Sequence, residues 1–154
     1  MIENKYIVVV EDDLEHLEAV KSILSDNEYR IKCFKDGAMA WDFLSQNHED
    51  VCVIILAKTL PNIAGMELLS KIQEHESLCK VPVIIQTVDS GEGKYKNAIE
   101  LGAQFYIEKP IDERELLRLV KASVRSFNKI VDDFNENKSH IEKVSSNDAV
   151  NSES

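Results

Sequence analysis

Polar side chains suited to phosphoryl transfer follow successive apolar runs of this sequence. They are Glu11, Asp12, Asp13, Thr87 and Lys109. Two neighbouring carboxylates can hold a hard cation such as Mg²⁺ through their oxygen atoms. A hydroxyl and an ammonium group can then neutralise the oxygens of a transferring phosphoryl group. The types and order of these residues therefore indicate a site for phosphoryl chemistry.

The nucleophile of such a site is missing. In a phosphate-accepting α/β protein, a carboxylate is expected where the central buried strand ends, and here that position is Ala57. A methyl group can neither attack phosphorus nor bind a metal ion. The function of the chain therefore depends on whether this absence is natural.

The elements that must position these residues alternate between strand and helix five times. The predicted strands are residues 6–10, 29–34, 51–56, 81–87 and 105–107, and the predicted helices are residues 14–24, a helix after Gly37, residues 66–72, residues 95–101 and a last helix capped by Asp112. The unbroken apolar run at 51–56 is typical of a parallel strand covered on both faces. The alternation predicts right-handed βαβ units and one parallel sheet, whose carboxyl ends would gather the polar residues.

Composition excludes several classes of protein. With 154 residues, 44% of them hydrophobic, the chain is long enough for one domain with a real core. A net charge of −10 argues against a general nucleic-acid or anionic-membrane binder. Cys33, Cys52 and Cys79 are odd in number and widely spaced, so neither a disulfide nor a zinc site is expected. We expect a cytoplasmic protein with no signal peptide and no membrane span.

The motifs together resemble the receiver domain of two-component response regulators, over about residues 5–126. The matching segments are Val9-Val-Glu-Asp12, Leu56-x-x-x-Leu60-Pro61-x-x-x-Gly65, Pro82-Val-Ile-Ile-Gln-Thr87, Gly102-Ala103 and Tyr106-Ile-Glu-Lys109-Pro110. The resemblance implies an α/β fold: a doubly wound, five-stranded parallel sheet of order 2-1-3-4-5, flavodoxin-like, with an extended C-terminal helix here. It also implies a signalling module that is not an enzyme.

The resemblance also implies a metal site. Glu11 and Asp12 match the acidic pair that holds Mg²⁺ in the family, and Thr59 matches the position whose backbone carbonyl completes it. Without a carboxylate at position 57, we expect Mg²⁺ to bind weakly or the site to stay empty. Lys109 would then pair with Glu11 or Asp12.

The remaining functional positions follow from the same resemblance. Thr87 matches the hydroxyl that follows the phosphoryl group on activation, and Lys109 matches the lysine that pairs with it. Tyr106 matches the aromatic side chain that swings between exposed and buried positions in the family's switch. Ala57 matches the aspartate that becomes phosphorylated, and Ala64 departs from the acid that is common there.

Three explanations for Ala57 remain open at this point. The chain is a natural pseudo-receiver that signals through protein contacts, or an ordinary phospho-accepting regulator whose aspartate was deliberately replaced. The third, phosphorylation elsewhere, for instance at Asp13, lacks a carboxylate with the geometry of the third strand. A flavodoxin-type electron carrier is remote, because Glu11, Asp12 and Asp13 would repel a flavin phosphate.

The last predicted helix continues past the domain. Its apolar residues keep helical spacing at Leu117, Val120, Val124, Phe127, Val131, Phe134 and Ile141. We divide the chain into a receiver domain at 1–126, a helical extension at 127–144 and a disordered tail at 145–154. The extension would pair with a second copy of the chain or dock a partner helix. Alternatively, its apolar residues would fold back on the domain.

The expected partners follow from the family. They are a histidine kinase or phosphotransfer protein, an output protein on the face of the fourth helix, fifth strand and fifth helix, and a second copy through the C-terminal helix. Neither nucleic acid nor a membrane is expected. The sequence alone does not separate a stand-alone receiver from a piece of a longer hybrid protein.

Overall fold

The computed structural model describes residues 4–88 and 92–153, with side chains described for 4–88 and 96–137. Its strands are β1 (Tyr6–Val10), β2 (Ile31–Phe34), β3 (Val51–Ala57), β4 (Val83–Thr87) and β5 (Phe105–Glu108). Its helices are α1 (Leu14–Asp26), α2 (Gly37–Gln46), α3 (Gly65–Glu74), α4 (Glu92–Glu100) and α5 (Glu113–Glu153), with 3-10 turns η1 (His48–Asp50) and η2 (Leu78–Lys80). The order of elements is the predicted one.

The strands form one parallel sheet with the order β2-β1-β3-β4-β5, which confirms the predicted doubly wound fold. Every residue of β3 is buried, as its unbroken apolar run predicted. Because the strands are parallel, their carboxyl ends meet at one edge of the sheet. In that register Ala57, the last residue of β3, lies opposite Gln86 of β4.

Aspartates begin three of the helices. The carboxylate of Asp13 accepts a hydrogen bond from the His16 amide at 3.2 Å and so caps α1. Asp112 caps α5 by accepting from the Glu115 amide at 2.9 Å, which confirms the predicted cap. Asp36 caps α2, and hydrogen bonds led by the Met39 amide lower the pKa of its carboxyl. Fixed helix starts hold the loops at the carboxyl edge of the sheet.

The buried face of α5 is shifted from the predicted one. Its buried residues are Leu116, Leu119, Val120, Ser123 and Phe127. Of the predicted frame, Val120 and Phe127 are buried and Val124 is half-buried against the core, whereas Leu117 is only half-buried. Ser123 lies in the buried face, so the apolar periodicity misses it. Phe127 is only 7% exposed, so the core reaches beyond residue 126.

The extension packs partly against the domain. Val131 is half-buried against the core, whereas Phe134 is 54% exposed. The Lys80 ammonium lies 4.5 Å from the centre of the Phe134 ring. The backbone of α5 is helical to Glu153, but the side chain of Ile141 lies outside the described residues. The division at 126, 144 and 154 stays a prediction.

The region before α4 differs from the expected loop at residues 89–93. The helix already begins at Glu92, so Gly93 is helical, and residues 89–91 lie outside the described part of the chain. Within the described residues, each helix is too short or too polar to cross a bilayer.

Gly65 generates the first prediction, because it begins α3 directly against the end of β3. A Cβ atom at Gly65 would lie 2.0 Å from the Ala57 carbonyl oxygen and 2.7 Å from that of Lys58. Both atoms belong to backbone that cannot move without disturbing the sheet. We expect Gly65→Ala to lower the free energy of unfolding by about 1–3 kcal/mol, measured by urea denaturation.

The neighbouring residue supplies a matched control. Ala64 is the N-cap of α3, and no side chain there bonds the helix amides. We expect Ala64→Ser to raise the free energy of unfolding by ~1 kcal/mol, because a hydroxyl would accept from the first turn. Unchanged stability in Gly65→Ala would contradict the tight approach of α3 to β3.

Candidate functional site

One cleft at the carboxyl edge of the sheet gathers most of the predicted site residues. It has a volume of about 220 Å³. Its lining residues are Asp12, Asp13, Ala57, Lys58, Thr59, Gln86, Thr87, Val88 and Lys109. The structure thus brings together side chains that are far apart in the sequence, from Asp12 to Lys109.

Backbone hydrogen bonds between neighbouring strand ends fix the walls of this cleft. The Lys58 amide donates to the Gln86 carbonyl at 3.2 Å, and the Lys109 amide donates to the Thr87 carbonyl at 2.8 Å. The side chain of Ala57 is only 2% exposed and forms part of the floor. The sheet, more than the loops, therefore sets where Ala57 and Lys109 lie.

Glu11 and Lys109 form an ion pair beneath the cleft. The Lys109 Nζ atom contacts Glu11 Oε1, and the two side chains are 15% and 1% exposed. The other carboxylate oxygen of Glu11 accepts from the Asp13 amide at 3.2 Å. The predicted pairing of Lys109 with an acid after β1 is confirmed, and the acid is Glu11. Its charge is matched inside the protein.

Gln86 is a site residue that the sequence reasoning missed. It is fully buried, and its Nε2 atom donates to Glu11 Oε1 at 3.3 Å. Its Oε1 atom is also buried and finds no hydrogen-bond donor among the described residues. The available signal was a polar residue inside an otherwise apolar strand, directly before Thr87. Buried polar atoms without a hydrogen-bond partner are rare in folded proteins, so this oxygen marks Gln86 as a candidate functional residue.

The acids of the cleft do not fit a tightly held divalent metal. Glu11 is engaged by Lys109 and Gln86, and Asp13 caps α1, which leaves exposed Asp12 as the remaining carboxylate. Within the described part of the chain, no three His, Cys, Asp or Glu side chains are grouped to hold a metal ion. The assignment of Glu11, Asp12 and Thr59 as metal ligands stays a prediction.

His16 lies beside this network, on the first turn of α1. Its Nε2 atom is buried and has no hydrogen-bond partner among the described residues. Burial, followed by the charge of Lys109, lowers the pKa of the imidazole, and the nearby acids Glu11, Asp13 and Glu15 only partly oppose this. Neutral His16 therefore suits this position better than its charged form.

Tyr106 lies apart from the cleft. It is a half-buried residue of β5 that pairs in register with Ile85 of β4, and it is not among the residues that line the cleft. Its role as a switch stays a prediction.

The fold and this cleft define a class of protein: a doubly wound parallel sheet with acids, a hydroxyl and a lysine at its carboxyl edge. Residues 7–121 match the family model described as the response regulator receiver domain. This match covers most of the chain, which therefore belongs to that family.

Curated relatives agree with this assignment. The chain is 34% identical over 119 residues to the transcriptional regulatory protein GltR of Pseudomonas aeruginosa, covering 77% of this chain and 48% of that protein. It is 34% identical over 114 residues to the two-component response regulator-like APRR5 of Arabidopsis thaliana, covering 73% of this chain and 20% of that one. The chain thus spans half or less of these two relatives.

Solved structures show the same fold. A CheY-like receiver domain protein from Methanospirillum hungatei has a TM-score of 0.72 at 25% identity, covering 81% of this chain and 97% of that one. The receiver domain of the sensor histidine kinase PA1611 from Pseudomonas aeruginosa has a TM-score of 0.71 at 24% identity, with 79% and 98% covered. That structure has a magnesium ion coordinated in its active-site cleft.

The buried ion pair yields a stability prediction. Lys109→Met would leave Glu11 buried without its counter-charge, and we expect a loss of about 3–5 kcal/mol in the free energy of unfolding. The double variant Glu11→Leu with Lys109→Met removes both charges and should recover most of that loss. Urea denaturation of the two single variants and the double variant measures the coupling. Additive losses would contradict a direct pair.

His16 yields a prediction for pH. Its folded-state pKa is lowered from 6.5, so the unfolded chain binds the proton more readily as the pH falls. The contribution of neutral His16 to stability is therefore complete above pH 6.5 and is lost as the pH falls towards the lowered value. We expect His16→Asn to reduce the loss of stability between about pH 7.5 and about pH 5.5, measured by urea midpoints.

The exposed Gln46, whose side chain has no titratable group, serves as the control for this measurement. Gln46→Asn should leave the slope of stability against pH nearly as it is in the unaltered chain. Equal slopes in all three proteins would contradict the assignment to His16.

Proposed function

We propose that this chain is a receiver-type signalling module that acts through protein contacts and is not phosphorylated at position 57. The observation that carries the proposal is the floor of the cleft. Ala57 supplies no nucleophile there, and Lys109, the cation that would meet an incoming phosphoryl group, is already neutralised by Glu11.

The other acids of the cleft do not replace the missing nucleophile. Asp12 and Asp13 are exposed residues that follow β1, and the Asp13 carboxylate is engaged as the cap of α1. Neither lies at the end of β3, where the family's acceptor stands. These positions support a module without enzymatic activity and with weak Mg²⁺ binding.

Two surfaces suit partner proteins. The first is the face of α4, β5 and α5, where half-buried Tyr106 lies and where Lys96 and Glu100 form an exposed pair at 4.0 Å. The second is the extension of α5, where Ile130 is 38% exposed and Phe134 is 54% exposed. We assign an output protein to the first surface and a second copy or partner helix to the second.

The relatives indicate which kinds of protein would make these contacts. Receiver domains occur in transcriptional regulators such as GltR and in sensor kinases such as PA1611. A histidine kinase or phosphotransfer protein is accordingly the upstream partner that we propose, in the cytoplasm. Neither nucleic acid nor a membrane is a proposed partner, in keeping with the net charge of −10.

A second function is favoured by one observation. Asp12, Thr87 and Lys109 still line one cleft around Ala57, with Glu11 beneath it. This arrangement favours, as the alternative, an ordinary regulator that takes a phosphoryl group from a histidine kinase with Mg²⁺ once an acceptor aspartate, here replaced by alanine, stands at position 57.

The proposed function predicts that the unaltered chain takes up no phosphoryl group. The full chain is incubated with acetyl phosphate and Mg²⁺, and its intact mass is measured over time. We expect no added phosphoryl group, because Ala57 offers no attacking oxygen. We expect Mg²⁺ to bind about ten- to a hundredfold more tightly to Ala57→Asp, which regains a carboxylate ligand.

Two results would contradict the proposed function. One is an added phosphoryl group on the unaltered chain, whichever residue carries it. The other is micromolar Mg²⁺ affinity in the unaltered chain, measured by calorimetric titration.

A further inference from the structure

Gln86 occupies the floor of the cleft next to Ala57, and the assigned roles do not account for it. We propose that Gln86 is a specificity-determining residue. Gln86 stabilises the ion pair of Glu11 and Lys109 by donating a hydrogen bond to Glu11. Its amide also disfavours an acceptor carboxylate at position 57. This inference rests on the proposed function and deepens it: two matched residues, Ala57 and Gln86, exclude phosphoryl chemistry.

The sheet places the two side chains side by side. Ala57 and Gln86 are register partners on adjacent parallel strands, and both line the cleft. Neighbouring strands lie ~4.8 Å apart, and partners in register present their side chains on the same face. A carboxylate introduced at position 57 would therefore extend directly beside the Gln86 amide.

The orientation of that amide makes the neighbourhood unfavourable for a carboxylate. The Gln86 Nε2 donor is used by Glu11, while Oε1 is buried and finds no donor among the described residues. An introduced carboxylate would bring a second acceptor towards Oε1, and two acceptors without a shared proton repel each other. With the small, apolar Ala57 this conflict does not arise.

Turning the amide over does not resolve the conflict. The Nε2 donor would then bond the introduced carboxylate, but Glu11 would lose the donor that it has now and would face Oε1 instead. The attacking oxygen would also be held by a hydrogen bond that the reaction must break. In both orientations Lys109 remains paired with Glu11 and is not released to a phosphoryl group.

The test compares phosphoryl uptake by three variants of the full chain with acetyl phosphate and Mg²⁺. They are Ala57→Asp alone, Ala57→Asp with Gln86→Val, and Ala57→Asp with Gln104→Val as the matched control at an exposed glutamine. In the reaction, a carboxylate oxygen attacks phosphorus and acetate leaves with the electrons of the broken P–O bond. We expect the Gln86 double variant to react at least tenfold faster than the other two.

Each outcome decides the question. Equal rates in Ala57→Asp and its Gln86 double variant, whether fast or absent, overturn the role of Gln86. Equal acceleration by Gln104→Val overturns it as well. These results leave the proposed function standing, since that function is tested only in the unaltered chain, by its phosphoryl uptake and its Mg²⁺ affinity.

A second measurement keeps the inference testable if the double variant folds poorly, which thermal unfolding would reveal. In the unaltered background, Gln86→Val should loosen Glu11 and expose the Lys109 ammonium. We expect acetylation of Lys109 by an N-hydroxysuccinimide ester to accelerate severalfold relative to exposed Lys32, followed by peptide mass spectrometry. An unchanged ratio would show that Gln86 does not hold the pair.

Discussion

The ion pair between Glu11 and Lys109 joins the end of β1 to the end of β5 across the carboxyl edge of the sheet. Glu11 is fully buried, so its charge is stable there only with a counter-charge and hydrogen bonds around it. The Glu11 amide is itself held by the Phe34 carbonyl at 2.9 Å, and the Lys109 amide by the Thr87 carbonyl at 2.8 Å. Backbone hydrogen bonds to neighbouring strands thus hold Glu11 and Lys109 where their side chains can pair.

This constraint explains how the cleft remains a stable structure with alanine at position 57. The family resemblance implies that, in phospho-accepting members, the lysine after the fifth strand pairs with the phosphoryl group. Here the buried carboxylate of Glu11 pairs with Lys109 and accepts a hydrogen bond from Gln86. The partner surfaces that we propose, the face around Tyr106 and the exposed apolar residues of the α5 extension, lie outside the cleft.

The sequence predicted the fold well because parallel strands and amphipathic helices leave strong periodic patterns. The apolar run of β3 and the cap at Asp112 are examples that the structure confirms. The predicted pairing of Lys109 also followed from simple charge balance. The buried face of α5 was predicted less well, because Ser123 lies in the core and Phe127 packs beyond the expected domain end.

Gln86 shows why the rest of the site could not be predicted. Its importance depends on its register with Ala57 and on the direction of its amide, and neither is encoded in local composition. His16 is similar, since its lowered pKa arises from burial and from Lys109, which is distant in sequence. Contacts between strand ends depend on the order and register of the strands, so local sequence patterns do not predict them.

The central claim is that the cleft holds one state that does not depend on phosphoryl donors. Amide ¹H–¹⁵N correlation spectra of the full chain, recorded before and after addition of acetyl phosphate and Mg²⁺, test it most directly. The account predicts that the signals of Ala57, Thr87 and Lys109 stay in place. Shifts at those residues that require the phosphodonor would contradict it.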